Sequence, residues 1–179
     1  MTHDLLRCAP LLVMMTLAAY IDMRERRIPN WLNLLIILSG IAQSFFATRL
    51  VGPGMSVLGL FVGATIPFVL FAIGALGAGD VKLMAGVGAW VGPVPALMVF
   101  VVEKVVGLII VLTQAAIQGR TRLLFRNSAL VAMNLVHIKE LGVEHVSATG
   151  RSTRTVDRPL PYAVPALIAV LLVLARKWA

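Results

Sequence analysis

The hydrophobic positions of this chain fall in long runs, separated by short stretches carrying charge, proline or glycine. A helix that crosses a hydrocarbon core of ~30 Å needs about 17–25 such residues. Runs of that kind cover residues 5–21, 31–47, 55–76 and 95–117. Two shorter ones cover 81–91 and 160–174, and Gly92-Pro93 separates the first of these from the run that follows. In lipid every main-chain polar group must be satisfied inside its own segment. The pattern therefore predicts an all-α polytopic membrane protein with about six transmembrane helices, forming a single domain over residues 1–179. The first run has the apolar character of a signal peptide, but a charged, Pro-containing turn and a second run follow it at once, as in a polytopic chain.

Composition agrees. Of 179 residues, 59% are hydrophobic and 13% charged, with a mean hydropathy of +0.92. Soluble domains average about 45–50% apolar and about 25% charged residues. Cys8 is the single cysteine, so neither a disulfide framework nor a paired-cysteine zinc site is expected. His3, His137 and His145 are scattered and form no H-E-x-x-H pattern. No metal or cofactor is expected.

The net charge of +8 is accounted for by topology. With the N-terminus outside, the inner segments hold Arg24, Arg26, Arg27, Lys82, Arg120, Arg122, Arg126, Lys139, Arg151, Arg154 and Arg158. The outer segments hold Arg7, Arg49, Arg176 and Lys177, and Lys104 lies within the fifth run. Cytoplasmic loops collect Lys and Arg, so both termini are expected outside and no nucleic-acid partner is needed. Residues 118–158 then form a cytoplasmic loop before the last helix. Its first half, "RLLFRNSALVAMNLVHIKEL", sets Leu124, Val131, Leu135 and Ile138 opposite Arg122 and Arg126, with Met133 out of place. That resembles an interfacial amphipathic helix on an anionic lipid surface. Its second half, "VSATGRSTRTVDR", reads as a connection.

Two acids stand out against this background. Asp22 ends the first run and Asp80 opens the fourth, in "GALGAGDVKLMAGVGAW", so both are expected at the cytoplasmic ends of helices. Ionisable groups at membrane depth are costly and mark function by default. Two facing carboxylates suit water activation: one ionised to take a proton from water, the other protonated to polarise a carbonyl and donate to the leaving group. Asp80 at a helix N-terminus and Asp22 at a C-terminus suggest base and acid respectively. Each also has a structural explanation, Asp80 as a helix cap and Asp22 as an interfacial acid balanced by its arginines.

Gly77 and Gly79 would permit backbone conformations closed to other residues and a close approach by an extended substrate; a tight interhelical turn explains them equally. Lys82 either snorkels to headgroups or tunes Asp80. In "RRIPNWLN", Pro29 stops the first helix, Asn30 is expected to cap the second, and Trp31 is an interfacial anchor. Glu103 and Lys104 fall inside the fifth run, where a charge costs ~2.5–3.5 kcal/mol. Being adjacent, they are expected to need separate partners or water.

Asp22 followed by "RRIPN", "GAGD" with Lys82 just after, and the late "LPYAVPALIA" together resemble the type IV prepilin peptidases, GxGD-type aspartic proteases of the bacterial inner membrane. The resemblance implies that Asp22 and Asp80 are the catalytic pair. It also implies a prepilin or pseudopilin substrate cleaved at the cytoplasmic border, and association with the pilus assembly machinery. Larger members carry a further cytoplasmic domain with paired cysteines and N-methylate the product. This chain runs directly from the first span to Pro29, which resembles the small peptidase-only branch of tight-adherence (Flp-type) pili; the related archaeal preflagellin peptidases leave a second substrate class open. Three other readings compete, one of them a noncatalytic assembly factor of the pilus machine, which the intact pair of acids does not favour. A proton-coupled transporter would use Asp22, Asp80, Glu103 and Lys104 as a relay, although no inverted repeat is evident and transporter sites lie near the midplane. A presenilin-like or signal-peptide-peptidase-like protease would also carry GxGD, with Pro165-Ala166-Leu167 as its other motif, on a longer chain.

Overall fold

The computed structural model describes residues 2–46, 50–72, 76–119 and 161–178, together with Arg122, Arg126 and Met133. The described residues form six helices and no strand: α1 (Thr2–Glu25), α2 (Asn30–Gln43), α3 (Pro53–Ala72), α4 (Ala78–Val91), α5 (Pro93–Ile117) and α6 (Ala163–Trp178). Of the loop expected over 118–158, Gln118 and Gly119 form a turn and Arg122, Arg126 and Met133 are helical. The rest, and with it the amphipathic pattern, lies outside the described residues.

The breaks between helices follow from local chemistry. The Arg26 main-chain N–H closes the last turn of α1 on the Asp22 carbonyl at 2.9 Å, and Arg26 itself adopts φ 53°. Pro29 then holds an extended conformation, φ −60° and ψ 137°, from which α1 cannot continue. Pro29 occupies the N-cap of α2 with no side-chain cap bond. The expectation that Asn30 caps α2 is thereby corrected: Asn30 is the first helical residue, and its amide oxygen is engaged elsewhere. Between α4 and α5, Gly92 takes φ 86°, a conformation that L side chains rarely adopt. Pro93 then opens α5, where its missing N–H costs nothing.

Helix α4 is the centre of the bundle. It packs against α2, α3 and α5, while α5 also packs against α3 and α6, and α6 against α1. Every residue from Leu83 to Val91 is buried. The α3–α4 contact is the tightest. A Cβ on Gly59 would fall on the Gly88 carbonyl oxygen, and one on Gly88 would fall on the Gly59 carbonyl oxygen. With Gly63 facing the Met84 carbonyl, α3 presents a G-x-x-x-G face that brings two main chains together, as small residues do where helices associate in lipid.

Buried polar groups tie the same helices. The Ser56 hydroxyl of α3 lies 2.7 Å from the Ala89 carbonyl of α4 and 3.2 Å from the Gly40 carbonyl of α2. The Trp90 indole N–H donates to the Ile36 carbonyl at 3.0 Å. Outside this core the large apolar side chains point outward, among them Leu38 of α2, Phe61 and Phe68 of α3, and Val101 and Leu108 of α5, each more than half exposed. Helices α3 and α5 are long and apolar enough to cross a membrane, while α2 and Ala163–Arg176 are apolar but shorter.

Candidate active site

One end of the bundle gathers the C-terminal turn of α1 and the N-termini of α2, α4 and α6. Asp22 lies in the last turns of α1 and is 5% exposed. Its Oδ2 accepts the main-chain N–H of Ala163, the first residue of α6, at 2.9 Å. Asp80 lies in the first turn of α4, half-buried, and its Oδ2 accepts the Gly77 N–H at 3.1 Å. Asp22, Glu103 and Lys104 are all within electrostatic range of the Asp80 carboxyl.

This geometry removes the helix-end argument that assigned base and acid. Asp22 does sit near a C-terminus, that of α1, but its carboxylate rests on the N-terminus of α6. Each acid therefore accepts a main-chain N–H at the start of a helix, and for Asp22 the favourable N-terminus of α6 opposes the unfavourable C-terminus of α1, so helix ends alone do not separate base from acid. Asp80 stands at the third helical position rather than at the N-cap, which is Gly77, and its single bond back to the Gly77 N–H is the capping contact it makes.

The two glycines before Asp80 adopt ordinary backbone. Gly77 has φ −84° and ψ 151°, and among the described residues positive φ occurs only at Arg26, Gly92 and Gly119. What Gly77 provides is room, since a Cβ there would meet Asp80 Oδ2 at 3.1 Å. Around Gly79 there is space, with Ile28 the nearest neighbour at 3.8 Å from a built Cβ.

Helix α2 holds the start of α4 from the side. Asn30 and Asn33, three residues apart and so on one face, reach across together. Lys82 Nζ donates to Asn30 Oδ1 at 2.9 Å, and Asn33 Nδ2 donates to the Gly79 carbonyl at 3.3 Å. Asn33 is 1% exposed, and its Oδ1 has no partner among the described residues. Lys82 thus has a contact that neither snorkelling nor tuning of Asp80 anticipates.

Glu103 and Lys104 also depart from expectation. Lys104 Nζ reaches back to Glu103 Oε1 at 3.0 Å, so the adjacent pair does share a bond. Both also meet Tyr162, whose hydroxyl donates to Glu103 Oε2 at 2.7 Å and accepts from Lys104 Nζ at 3.2 Å. Their common partner precedes α6 in the motif "LPYAVPALIA"; the sequence marked that stretch but not the contact. Asn33 left a fainter trace, as a polar residue in an apolar run one turn after Asn30. Among the described residues no three His, Cys, Asp or Glu side chains are grouped to hold a metal ion.

The type IV leader peptidase family model matches residues 9–112, more than half of the chain. The match takes in Asp22, the "GAGD" turn, Glu103 and Lys104, and stops short of Tyr162. No curated protein and no solved structure matches the chain. The chain belongs to the type IV leader peptidase family. Membership implies a prepilin-type leader peptidase with aspartic peptidase activity and a prepilin substrate, and with the apolar helices α3 and α5 it points to a membrane protein.

Proposed function

We propose that Asp22 and Asp80 are the carboxylate pair of this leader peptidase and that it removes the leader of a Flp-like prepilin or pseudopilin at the cytoplasmic face of the bacterial inner membrane. The observation that carries the reading is the convergence of the two acids. They come from separate helices and lie far apart in the sequence, yet both stand at one end of the bundle, Asp22 within electrostatic range of Asp80, each bound to a main-chain N–H. In the reaction, one carboxylate takes a proton from water as the oxygen adds to the scissile carbonyl. The other, protonated, polarises that carbonyl and then gives its proton to the departing amine as the C–N bond breaks. The protons balance without a metal or a covalent intermediate. Gly77 and Gly79 leave an uncrowded approach for an extended substrate segment, and Lys82, through Asn30, holds the start of α4.

In the same reading residues 1–179 form one multi-pass unit of six transmembrane helices. Both termini are outside, residues 118–158 face the cytoplasm, and the pilus assembly machinery receives the product. The reading includes no methyl transfer. Its support is the excess of Lys and Arg in the segments on the Asp22 and Asp80 side.

The test is cleavage of a small pilin precursor co-expressed with the full chain, followed by gel shift and N-terminal sequencing of the product. Asp22→Asn and Asp80→Asn are each expected to lower cleavage by about 10²–10⁴-fold, the range of a general acid or base, with normal membrane accumulation. Cleavage that survives both changes removes the assignment.

A further inference from the structure

Tyr162 stands one residue before the amide that holds Asp22, and the proposed reaction makes no use of it. Its hydroxyl, the Glu103 carboxylate and the Lys104 ammonium close a ring of three hydrogen bonds, at 2.7, 3.0 and 3.2 Å. The ammonium also lies 4.5 Å from the centre of the Tyr162 ring and 4.9 Å from that of Phe100. Glu103 is 2% exposed. The Lys104 side chain keeps 35% of its surface exposed, so the buried member is the carboxylate, and a buried charge is poor value as stability alone, since a well-packed apolar side chain of similar size usually does as well. Its placement suggests what it holds instead.

The first turn of α6 is weakly held by its own main chain. The Val164 N–H reaches the Pro161 carbonyl at 3.4 Å and the Ala166 N–H reaches the Tyr162 carbonyl at 3.4 Å, at the long end for such bonds. Helix ends held this way fray. The Ala163 N–H nevertheless meets Asp22 at 2.9 Å. An anchor on the adjacent residue supplies the missing constraint, because one peptide plane joins Tyr162 to the Ala163 nitrogen and that plane is rigid.

We infer that Tyr162 is a positioning residue: the Glu103 side chain of α5 clamps its hydroxyl, with the Lys104 ammonium as the charge partner of that carboxylate, and the clamped residue presents the Ala163 N–H to Asp22. The inference rests on the proposed catalytic role of Asp22. The pair also lies within electrostatic range of Asp80, so informative substitutions leave the local net charge unchanged.

The experiment uses the full chain in proteoliposomes with a synthetic pilin precursor carrying a basic leader and one apolar helix. It compares wild type, Tyr162→Phe, and two double variants, Glu103→Gln with Lys104→Met and Glu103→Leu with Lys104→Met. Each double variant removes both charges, but only the glutamine keeps an acceptor for the Tyr162 hydroxyl. Tyr162→Phe and the leucine variant are expected to lower kcat about 10–100-fold, as small misplacements of a reacting group do, with KM within about twofold. The glutamine variant is expected to stay within about threefold of wild type. Amide exchange in the peptide containing Ala163 is expected to rise about tenfold in the first two and to stay at the wild-type rate in the third.

Wild-type kcat and exchange in Tyr162→Phe overturn the inference. So does a glutamine variant as impaired as the leucine one, a fall in kcat without faster exchange, or a loss confined to KM. Asp22→Asn is run alongside. If it still cleaves, the catalytic reading has failed, while exchange at Ala163, which needs no turnover, still decides whether the clamp exists.

Discussion

Replacing Gly88 by alanine tests whether the α3–α4 contact holds the bundle together. A Cβ built at Gly88 falls on the carbonyl oxygen of Gly59, with the carbonyl carbon at 2.7 Å and the Leu60 nitrogen at 3.3 Å. The obstacle is the main chain of a helix, which cannot rotate aside as a side-chain tip does, so α3 and α4 must separate. Overpacking costs about 1–3 kcal/mol, and an immovable backbone places this site in the upper half of that range. Alanine recovers about 1 kcal/mol over glycine in a helix. The net loss is therefore about 1–2 kcal/mol, or about 2–8 °C in Tm at about 2–4 °C per kcal/mol for a chain of this size. Thermal unfolding of the purified protein in detergent, followed by tryptophan emission, reads this directly because Trp90 lies on α4 beside the contact. Gly107→Ala is the control: its Cβ would meet nothing within 4 Å, and its Tm should equal or exceed the wild-type value. A Gly88→Ala protein as stable as wild type, with the control behaving as stated, would refute the close approach.

Gly79→Ala should leave Tm unchanged or slightly raised, since its Cβ would make an ordinary 3.8 Å contact with Ile28. If Gly79 keeps the substrate approach open as proposed, cleavage should still fall about tenfold or more; wild-type cleavage by this variant removes that role. Ser56→Ala should cost about 1 kcal/mol, or about 2–4 °C in Tm. The single hydroxyl proton serves only one of the two carbonyls at a time, so the loss should match one hydrogen bond, and a loss twice as large in the same thermal assay would contradict the assignment.

The helices were legible because proline and glycine punctuate long apolar runs, and those residues act on their own backbone. Pro29, Gly92 and Pro93 end or begin helices where the sequence places them. The polar fringes were harder to read. Asp22 looked like the end of a span, but α1 continues to Glu25, and α4 begins at Ala78 rather than beyond the charged turn. Contacts between distant segments were not legible. The partner of Asp22 is the amide of Ala163, 141 residues further along, and no local pattern announces it. Glu103 and Lys104 looked unable to pair because adjacent side chains on a helix diverge; the length of the lysine and the shared tyrosine hydroxyl overcome that. The glycines beside Asp80 drew attention through their motif, while the glycines whose missing side chains matter most to packing, Gly59 and Gly88, lie elsewhere. The G-x-x-x-G spacing of Gly59 and Gly63 passed unnoticed inside the apolar run 55–76.

The shortness of α4 has a consequence for the supply of one reactant. Fourteen residues at 1.5 Å each extend about 21 Å, against ~30 Å of hydrocarbon. Tilting shortens a helix along the bilayer normal, so under the proposed topology the deficit of about 9 Å has to be met by a thinner bilayer or by a recess open to the aqueous phase. Asp80 stands at one end of this truncated helix. Under that proposal hydrolysis consumes a water molecule for every leader removed, and a recess at the Asp80 end is the alternative that would bring solvent down to the proposed carboxylate pair. The substrate then need not be lifted clear of the membrane to meet it.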